Sequence, residues 1–327
     1  MSNEPRNGAA LLVAGPNLTI DRTSSIAELR PGEVLRLEKV AVTPGGKGVN
    51  VCRAARALRL GATLVAFVPG HTGRAVAALL ADESIDLLAI PCEGELRSTS
   101  IMMEASGRTT VLNEPGPELS EGDWSRYARR IAEQLPDAHA LVCSGSVPPG
   151  APDDAYAELA SLARGCGRIC AVDAGGAVLR AALAGGAMVV PNLGEAEALL
   201  ESGHGGEAVD AVPDARDRAM RAARDLVAAG ASAAVVTAAA AGAAFAGTSG
   251  EAGWLAAPAV SVRNPIGAGD AFTAALASRL ADGVELAAAV AYAVGAGSAS
   301  VESPLAGELD VARAGALAAQ VASAEAS

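Results

Sequence analysis

Lysine is almost missing from this chain: only Lys39 and Lys47 occur among its 25 basic residues, and the rest are arginine. Aromatic residues make up 2% of the 327 residues, so the core must be built mainly from Ala, Val and Leu, with small-residue helices approaching closely. No stretch near 18 apolar residues is free of turns or charges, which argues against a membrane span. His71, His139 and His204 are far apart, and Cys52, Cys92, Cys143, Cys166 and Cys170 are scattered and odd in number. Cys166 and Cys170 lack Cys or His partners at zinc spacing, so structural thiols are the reading rather than a disulfide framework or a zinc site. Positive charge is short overall, with a formal net charge of −12. That balance excludes a general nucleic-acid surface, and any site for an anionic ligand must concentrate local positive charge against the overall field. Met1 to Gly8 is polar and lacks a signal peptide's apolar core and cleavage site. The expectation is a soluble, cytoplasmic protein with no nucleic-acid or membrane partner.

What is present is length and alternation. At 51% hydrophobic residues the chain can bury a large core. Short apolar runs at Ala9–Ala14, Ala62–Val68, Ala138–Cys143, Arg168–Asp173, Ala187–Val190 and Ala233–Thr237 predict strands. Helices are predicted near 49–60, 73–82, 121–135, 152–165, 176–184, 194–202, 215–229, 268–281, 285–300 and 308–323. Strands apolar on both faces suit a parallel sheet covered by helices on both sides. The fold class read from this pattern is α/β: one doubly wound domain over residues 1–327 with a mostly parallel sheet.

Two segments break the alternation. Residues 33–43 and 98–112 alternate partly, with Gly107 making a turn, and fit either a small sheet outside the main one or irregular loops on it. Gly203 to Pro213 reads as a flexible surface loop.

Two Gly-rich turns open helices. In Asn264-Pro265-Ile266-Gly267-Ala268-Gly269-Asp270-Ala271-Phe272, Pro265 fixes φ and the small residues leave backbone N–H groups open to a ligand. The helix start that follows favours an anion. Asp270 in that first turn suits a cap, and beside a bound phosphate it becomes a candidate general base. Thr43-Pro44-Gly45-Gly46-Lys47-Gly48-Val49-Asn50 precedes a second helix, with Val49, Cys52, Ala55 and Leu58 on one face, Arg53, Arg56 and Arg59 on the other, and Gly61 as the expected stop. A lysine between glycines, where arginine supplies nearly all other positive charge, suggests a need for a compact ammonium; a chance turn lysine is the plainer alternative.

Together, Gly45-Gly46-Lys47-Gly48 and Gly267-Ala268-Gly269-Asp270 resemble the two hallmark segments of the ribokinase-like, or phosphofructokinase-B, carbohydrate kinases. Asn17 to Thr23 resembles the family's first sugar-binding segment, ending in Asp21. Leu112 to Pro117 and Ser144 to Gly150 look like the branch that phosphorylates sugar phosphates, 1-phosphofructokinase and tagatose-6-phosphate kinase. Pro191-Asn192-Leu193-Gly194-Glu195 is similar to the Asn-x-x-Glu element that organises magnesium and phosphate. The six pieces stand in the family's order across nearly the whole chain.

The resemblance implies a ribokinase-like fold with a small β-sheet lid from 33–43 and 98–112. It implies transfer of the γ-phosphoryl group of ATP, with Mg2+ and possibly a monovalent cation as cofactors. Asp270 would be the base, with Gly267, Ala268 and Gly269 donating N–H groups to the transferring phosphoryl. Asp21, Gly45, Gly46, Lys47, Asn50, Arg97 and Asn113 would face the substrate. Asn192, Thr237, Gly242 and Gly269 would face ATP, and Glu195 would act on the metal through water. Asn113 equally suits a turn before Pro115, and Asp173, at a strand end, suits either the cleft or a helix cap. Fructose 1-phosphate is the expected acceptor, with tagatose 6-phosphate, fructose 6-phosphate or a free hexose as alternatives. A homodimer through the lid is the expected assembly.

The sequence departs from the family pattern in three places. Asn264-Pro265 replaces Asp-Thr or Ser-Thr, Ser98-Thr99-Ser100-Ile101 replaces Thr-Asn-x-Lys after Arg97, and Thr237-Ala238-Ala239-Ala240-Ala241-Gly242 keeps only the last glycine of its turn. The last departure supports a rival from another class, a non-catalytic sugar-phosphate or nucleotide sensor. A P-loop, a dinucleotide fingerprint and a Gly-x-Ser-x-Gly elbow are all missing.

Overall fold

Leu11–Ala14 (β1) is apolar at every position because both faces are covered: Leu11 and Val13 enter one core, Leu12 and Ala14 the other. The computed structural model describes residues 10–37, 39–200 and 214–325. The polar start through Gly8, the loop reading for 203–213, His204 and the last two positions of the 194–202 helix lie outside the described residues.

After β1 come β2 (Thr19–Ile26), β3 (Val40–Gly45), α1 (Lys47–Ala57), β4 (Ala62–Phe67), α2 (Gly70–Asp82) and β5 (Asp86–Ile90). The chain continues with β6 (Ser98–Glu104), β7 (Thr109–Asn113), α3 (Glu121–Gln134), β8 (Ala140–Ser144), α4 (Ala155–Gly165) and β9 (Ile169–Asp173). Then follow α5 (Gly176–Ala184), β10 (Met188–Val189), α6 (Leu193–Leu200), α7 (Ala215–Ala228), β11 (Ala233–Thr237), β12 (Gly242–Gly247) and β13 (Ala252–Ala256). Three helices close the chain: α8 (Ala268–Ala281), α9 (Leu286–Ser300) and α10 (Val311–Glu325).

The main sheet has nine strands in the order β13-β12-β11-β10-β9-β8-β1-β4-β5. It is parallel from β5 to β11, and β12 and β13 add antiparallel at one edge. One core joins the sheet to α1, α2, α8, α9 and α10 through Val51, Val76, Leu276, Val290 and Leu317. The other joins it to α3 through α7, with Ile131, Leu159, Leu179, Leu199 and Leu226. This is the doubly wound arrangement expected from strands apolar on both faces.

Scarce aromatics are met in two ways. Phe67, Tyr127 and Trp124 stack with ring centroids 4.9 and 5.2 Å apart, concentrating bulk under α3. Elsewhere small residues let helices close up. A Cβ on Gly295 in α9 would stand 2.6 Å from the Ala314 carbonyl and the Ala318 amide of α10, closer than any side chain tolerates.

A second sheet, β3-β2-β6-β7, stands apart from the first. Here the 33–43 reading needs correction. Pairing with β2 ends at Ser24–Val40, so β3 begins at Val40 and runs to Gly45, while Pro31 and Gly32 turn the chain before it. The strand β2 carries few apolar residues, and β5, β12 and β13 lie in runs without a clear period; none of these was expected. Helix α1 stops at Ala57 instead of running to Gly61, because Arg59 itself takes the left-handed conformation at φ 61°.

Candidate active site

Parallel strands deliver their following loops to one edge, which is where open α/β sheets bind ligands. Here β1 leads to Asn17, β8 to Ser144-Gly145, β9 ends in Asp173 and β10 leads to Asn192. Helices α1 and α8 start at the same edge and supply the remaining groups.

Gly267 caps α8 at φ 86°, and a Cβ there would collide with the Gly307 amide, so glycine is required twice over. The first i→i−4 bond of the helix runs from Ala271 N to Gly267 O (2.9 Å). The N–H groups of Ala268, Gly269 and Asp270 precede it and point outward from the helix end. A Cβ on Gly269 would meet no protein atom within 4 Å, so no protein packing demands that glycine and its N–H is open to the cleft.

Asp270 is the third residue of α8 and is 5% exposed. Asn50 Nδ2 donates to its Oδ2 at 2.9 Å. Burial pushes the carboxyl up to about 7, and the neighbouring Asp173 carboxylate adds to the rise; Lys47 and the Asn50 amide oppose it. A carboxyl in that range can exchange a proton near neutral pH.

Lys47 opens α1 after Gly46, which takes φ 107°. Its Nζ lies 2.8 Å from Asp173 Oδ1, and the side chain remains 41% exposed. Asp173 chiefly, then Asp270 and Glu195, hold the ammonium charged against the cost of burial. Asp173 therefore belongs to the cleft, settling between the two readings its strand-end position allowed. Lys39 is exposed and stands elsewhere.

On the small sheet, Asp21 packs under Gly45, where a Cβ would collide with its carboxylate. Asp21 Oδ1 has no hydrogen-bond partner although it is buried. Burial raises the Asp21 pKa, while Arg97, Thr99, Arg53 and Thr19 pull it back. Arg97 is engaged by backbone: Nε and Nη2 donate to the Asn17 carbonyl at 3.1 and 2.9 Å, and Nη1 to the Glu114 carbonyl at 3.3 Å. Asn113 ends β7 and accepts from Thr99 Oγ1 at 3.1 Å, so it is a strand residue rather than part of a turn.

Asn192 and Glu195 cap α6 reciprocally. Asn192 N donates to Glu195 Oε2, and Glu195 N donates to Asn192 Oδ1, both at 2.9 Å. Thr237 bridges to Asn192 in parallel fashion, with its N–H donating to the Pro191 carbonyl at 3.0 Å. The turn after Thr237 closes through Ala238 N to Gly242 O (2.8 Å). Gly242 takes φ 137°, and a Cβ on it would strike the Leu255 carbonyl. Ala239 adopts φ 46°, so alanine occupies a backbone conformation that favours glycine. The lost glycine has left its turn behind.

The sequence reading misplaced Arg53, which was put on the solvent face of α1. It is 9% exposed and faces inward, donating to Asn50 Oδ1 (3.1 Å), the Pro44 carbonyl (2.8 Å) and both oxygens of Glu83 (2.6 and 2.7 Å). The available signal was its i, i+3 spacing from Asn50, which puts both on one helix face.

Comparison with known proteins gives consistent results. The model described as pfkB family carbohydrate kinase matches residues 17–312. The ATP-dependent 6-phosphofructokinase isozyme 2 of Escherichia coli (strain K12) is 30% identical over 285 residues, 86% of this chain and 89% of that protein. A crystal structure of phosphofructokinase-2 from Escherichia coli in complex with fructose-6-phosphate superposes with a TM-score of 0.82 at 27% identity, covering 96% of this chain and 99% of that one. A possible 1-phosphofructokinase from Thermotoga maritima shares the fold, with a TM-score of 0.79 at 23% identity over 95% of this chain and 97% of that one.

Proposed function

Because the chain belongs to the pfkB family of carbohydrate kinases, we propose that it transfers the γ-phosphoryl group of ATP to a hydroxyl of a phosphorylated ketohexose. The observation that carries this reading is Asp270, buried in the first turn of α8 beside outward-pointing N–H groups and held by Asn50. Asp270 accepts the proton of the attacking hydroxyl. The N–H groups of Ala268 and Gly269 stabilise the charge on the phosphoryl oxygens as it passes between donor and acceptor. Lys47 lies beside this path and neutralises phosphate charge, while Asp21 orients sugar hydroxyls from the small sheet.

Magnesium fits the donor set. Asp173, at the end of β9, and Glu195, whose Oε1 would lie 3.6 Å from a Cβ on Gly175, supply hard oxygens. Among the described residues no three His, Cys, Asp or Glu side chains converge into a metal cage. Such a partial shell suits an ion that keeps water and nucleotide oxygens as its main ligands. When bound, it would neutralise the ATP phosphates.

Fructose 6-phosphate is the acceptor favoured by similarity to the Escherichia coli isozyme. Fructose 1-phosphate is the second reading, since the Asn113-to-Pro117 segment, which favours a phosphorylated ketohexose, resembles the branch that holds 1-phosphofructokinase and tagatose-6-phosphate kinase. The small sheet is read as a lid, since it stands outside the main sheet and β3 joins α1 through Gly45-Gly46. Exposed Val42 and Leu112, in one cross-strand row on the face away from Asp21, support pairing of two copies through this sheet. Among the described residues no helix is long and apolar enough to cross a membrane.

An ATP-coupled screen with fructose 6-phosphate, fructose 1-phosphate, tagatose 6-phosphate and free hexoses tests the assignment. Turnover on a ketohexose phosphate is expected. Sugar-phosphate binding without turnover on any acceptor would replace the kinase with the sensor reading.

A further inference from the structure

Arg53 is a buried cation more than one bond removed from any reacting atom, yet its hydrogen bonds converge on groups that matter. A guanidinium offers donors only, so the amide atom facing Arg53 Nη1 at 3.1 Å must be the Asn50 oxygen. The Asn50 amide is planar, so its NH2 then points the other way, 2.9 Å from Asp270 Oδ2. Reversing the amide would set donor against donor at Arg53 and oxygen against carboxylate at Asp270. Arg53 Nη2 also donates to the carbonyl of Pro44 at 2.8 Å, the residue before the glycine pair that joins the small sheet to α1. Its ion pair with Glu83, at the end of α2, anchors the guanidinium from behind.

Resting on the reading of Asp270 as base, we propose that Arg53 is a positioning residue: it sets the orientation of the Asn50 amide, and through it the Asp270 carboxylate, and it links this setting to the strand that carries the small sheet. The other charged groups facing Asp270, Lys47 from α1 and Asp173 from β9, do not depend on Arg53.

Arg53→Lys keeps a cation for Glu83 but has one ammonium where three partners must be reached. It should lower kcat about ten- to a hundredfold while the KM for ATP stays within about twofold, as expected for a displaced reacting group. Because Asp270 loses a donor to its charged form, the acid limb of the pH profile should move to higher pH. Asn50→Ala should show the same pair of changes, and the double variant should be little worse than either single one. Glu83→Gln should lower Tm yet keep kcat and the acid limb. Arg53→Gln combined with Glu83→Gln removes the ion pair as a whole and supplies a neutral version if Arg53→Lys does not fold. Wild-type kcat and acid limb in Arg53→Lys, or full reproduction of its loss by Glu83→Gln, would overturn the proposal. Asp270→Asn assayed alongside separates the two ideas. If it stays active, the base reading falls and takes Arg53's role with it. If it is dead while Arg53→Lys is wild-type, only Arg53's role falls.

Discussion

Two glycine turns at the same sheet edge are built by opposite means. The turn at Gly267 and the turn at Gly242 each hold a glycine at positive φ in a place where a Cβ would strike backbone. Around the first, side chains converge from three elements: Asp270 from α8, Asn50 and Lys47 from α1, Asp173 from β9. Around the second, Ala238 to Ala241 offer no polar side chain, and only backbone N–H and carbonyl groups remain. Drift in sequence is therefore tolerated at the second turn and not at the first. Proton transfer needs a named atom at a set distance, whereas a turn that contributes through its backbone needs only its φ and ψ kept. Alanine at 239 meets that need, since it holds the left-handed φ of 46°.

The largest effect is expected from Asp270→Asn. Loss of a positioned base should cost about 10²–10⁴-fold in kcat, measured in the coupled ATP assay. In the wild type, kcat/KM should fall below a pH of about 7 as Asp270 takes up a proton. Its folded pKa is raised, so its contribution to stability is full below the ordinary carboxylate range and is lost as pH rises through about 7. Thermal scans should therefore show Asp270→Asn more stable than wild type at pH 8, with the gap closing toward pH 4. Retained activity would remove Asp270 from the mechanism.

Lys47→Ala comes next. Loss of one charge-assisted phosphate contact should cost roughly 1.5–3 kcal/mol, seen as a KM for the sugar phosphate raised far more than the KM for ATP. Lys47→Arg should rescue little, since the planar guanidinium needs more room than the glycines leave. Equal effects on both KM values would assign Lys47 to general electrostatics instead.

On the other turn, Gly242→Ala should destabilise the protein by about 1–3 kcal/mol in urea titrations, because both its φ and the Leu255 carbonyl forbid a side chain. The smallest effect belongs to Ala239→Gly. Relief of a left-handed alanine, about 1–2 kcal/mol, is offset by about 0.4–1 kcal/mol from the looser unfolded chain, so a gain between about 0 and about 1.6 kcal/mol is expected with KM for ATP unchanged. A sharp change in that KM would show that the alanine side chain itself matters there.

Much of this architecture was readable from residue order. The bounds of α8 match the 268–281 reading because Pro265 and Gly267 punctuate its start and a glycine follows its end. The parallel core was legible for the same reason that β1 is uniformly apolar. Less legible were β12, whose Gly242–Gly247 run contains little besides glycine and alanine, and β2, whose polar residues resemble a loop until β3 and β6 pair with it. At the site, Asp270 and Lys47 stood out through their turns. Their contacts did not: Asn50 and Asp270 are 220 residues apart, and Asp173 meets Lys47 across 126. Arg53 was missed because an arginine in a helical stripe with Arg56 and Arg59 is ordinarily solvated. Only Glu83, thirty positions on, explains how its charge is accommodated inside.

The pairing of β2 with β6 has a consequence for the order in which the molecule takes shape. The two strands run parallel, and Ile20 N donates to the Arg97 carbonyl at their start, so some eighty residues separate partners in sequence. Between them lie β3, α1, β4, α2 and β5. During synthesis β2 leaves the ribosome early with only the β3 hairpin to satisfy one edge, while its other edge waits for β6. The loop-closure entropy of that span falls sharply once α1, β4, α2 and β5 have packed and brought its ends together. The sheet that carries Asp21 is thus expected to assemble on a platform already built, with hydrogen exchange at the β2–β6 seam gaining protection late in refolding.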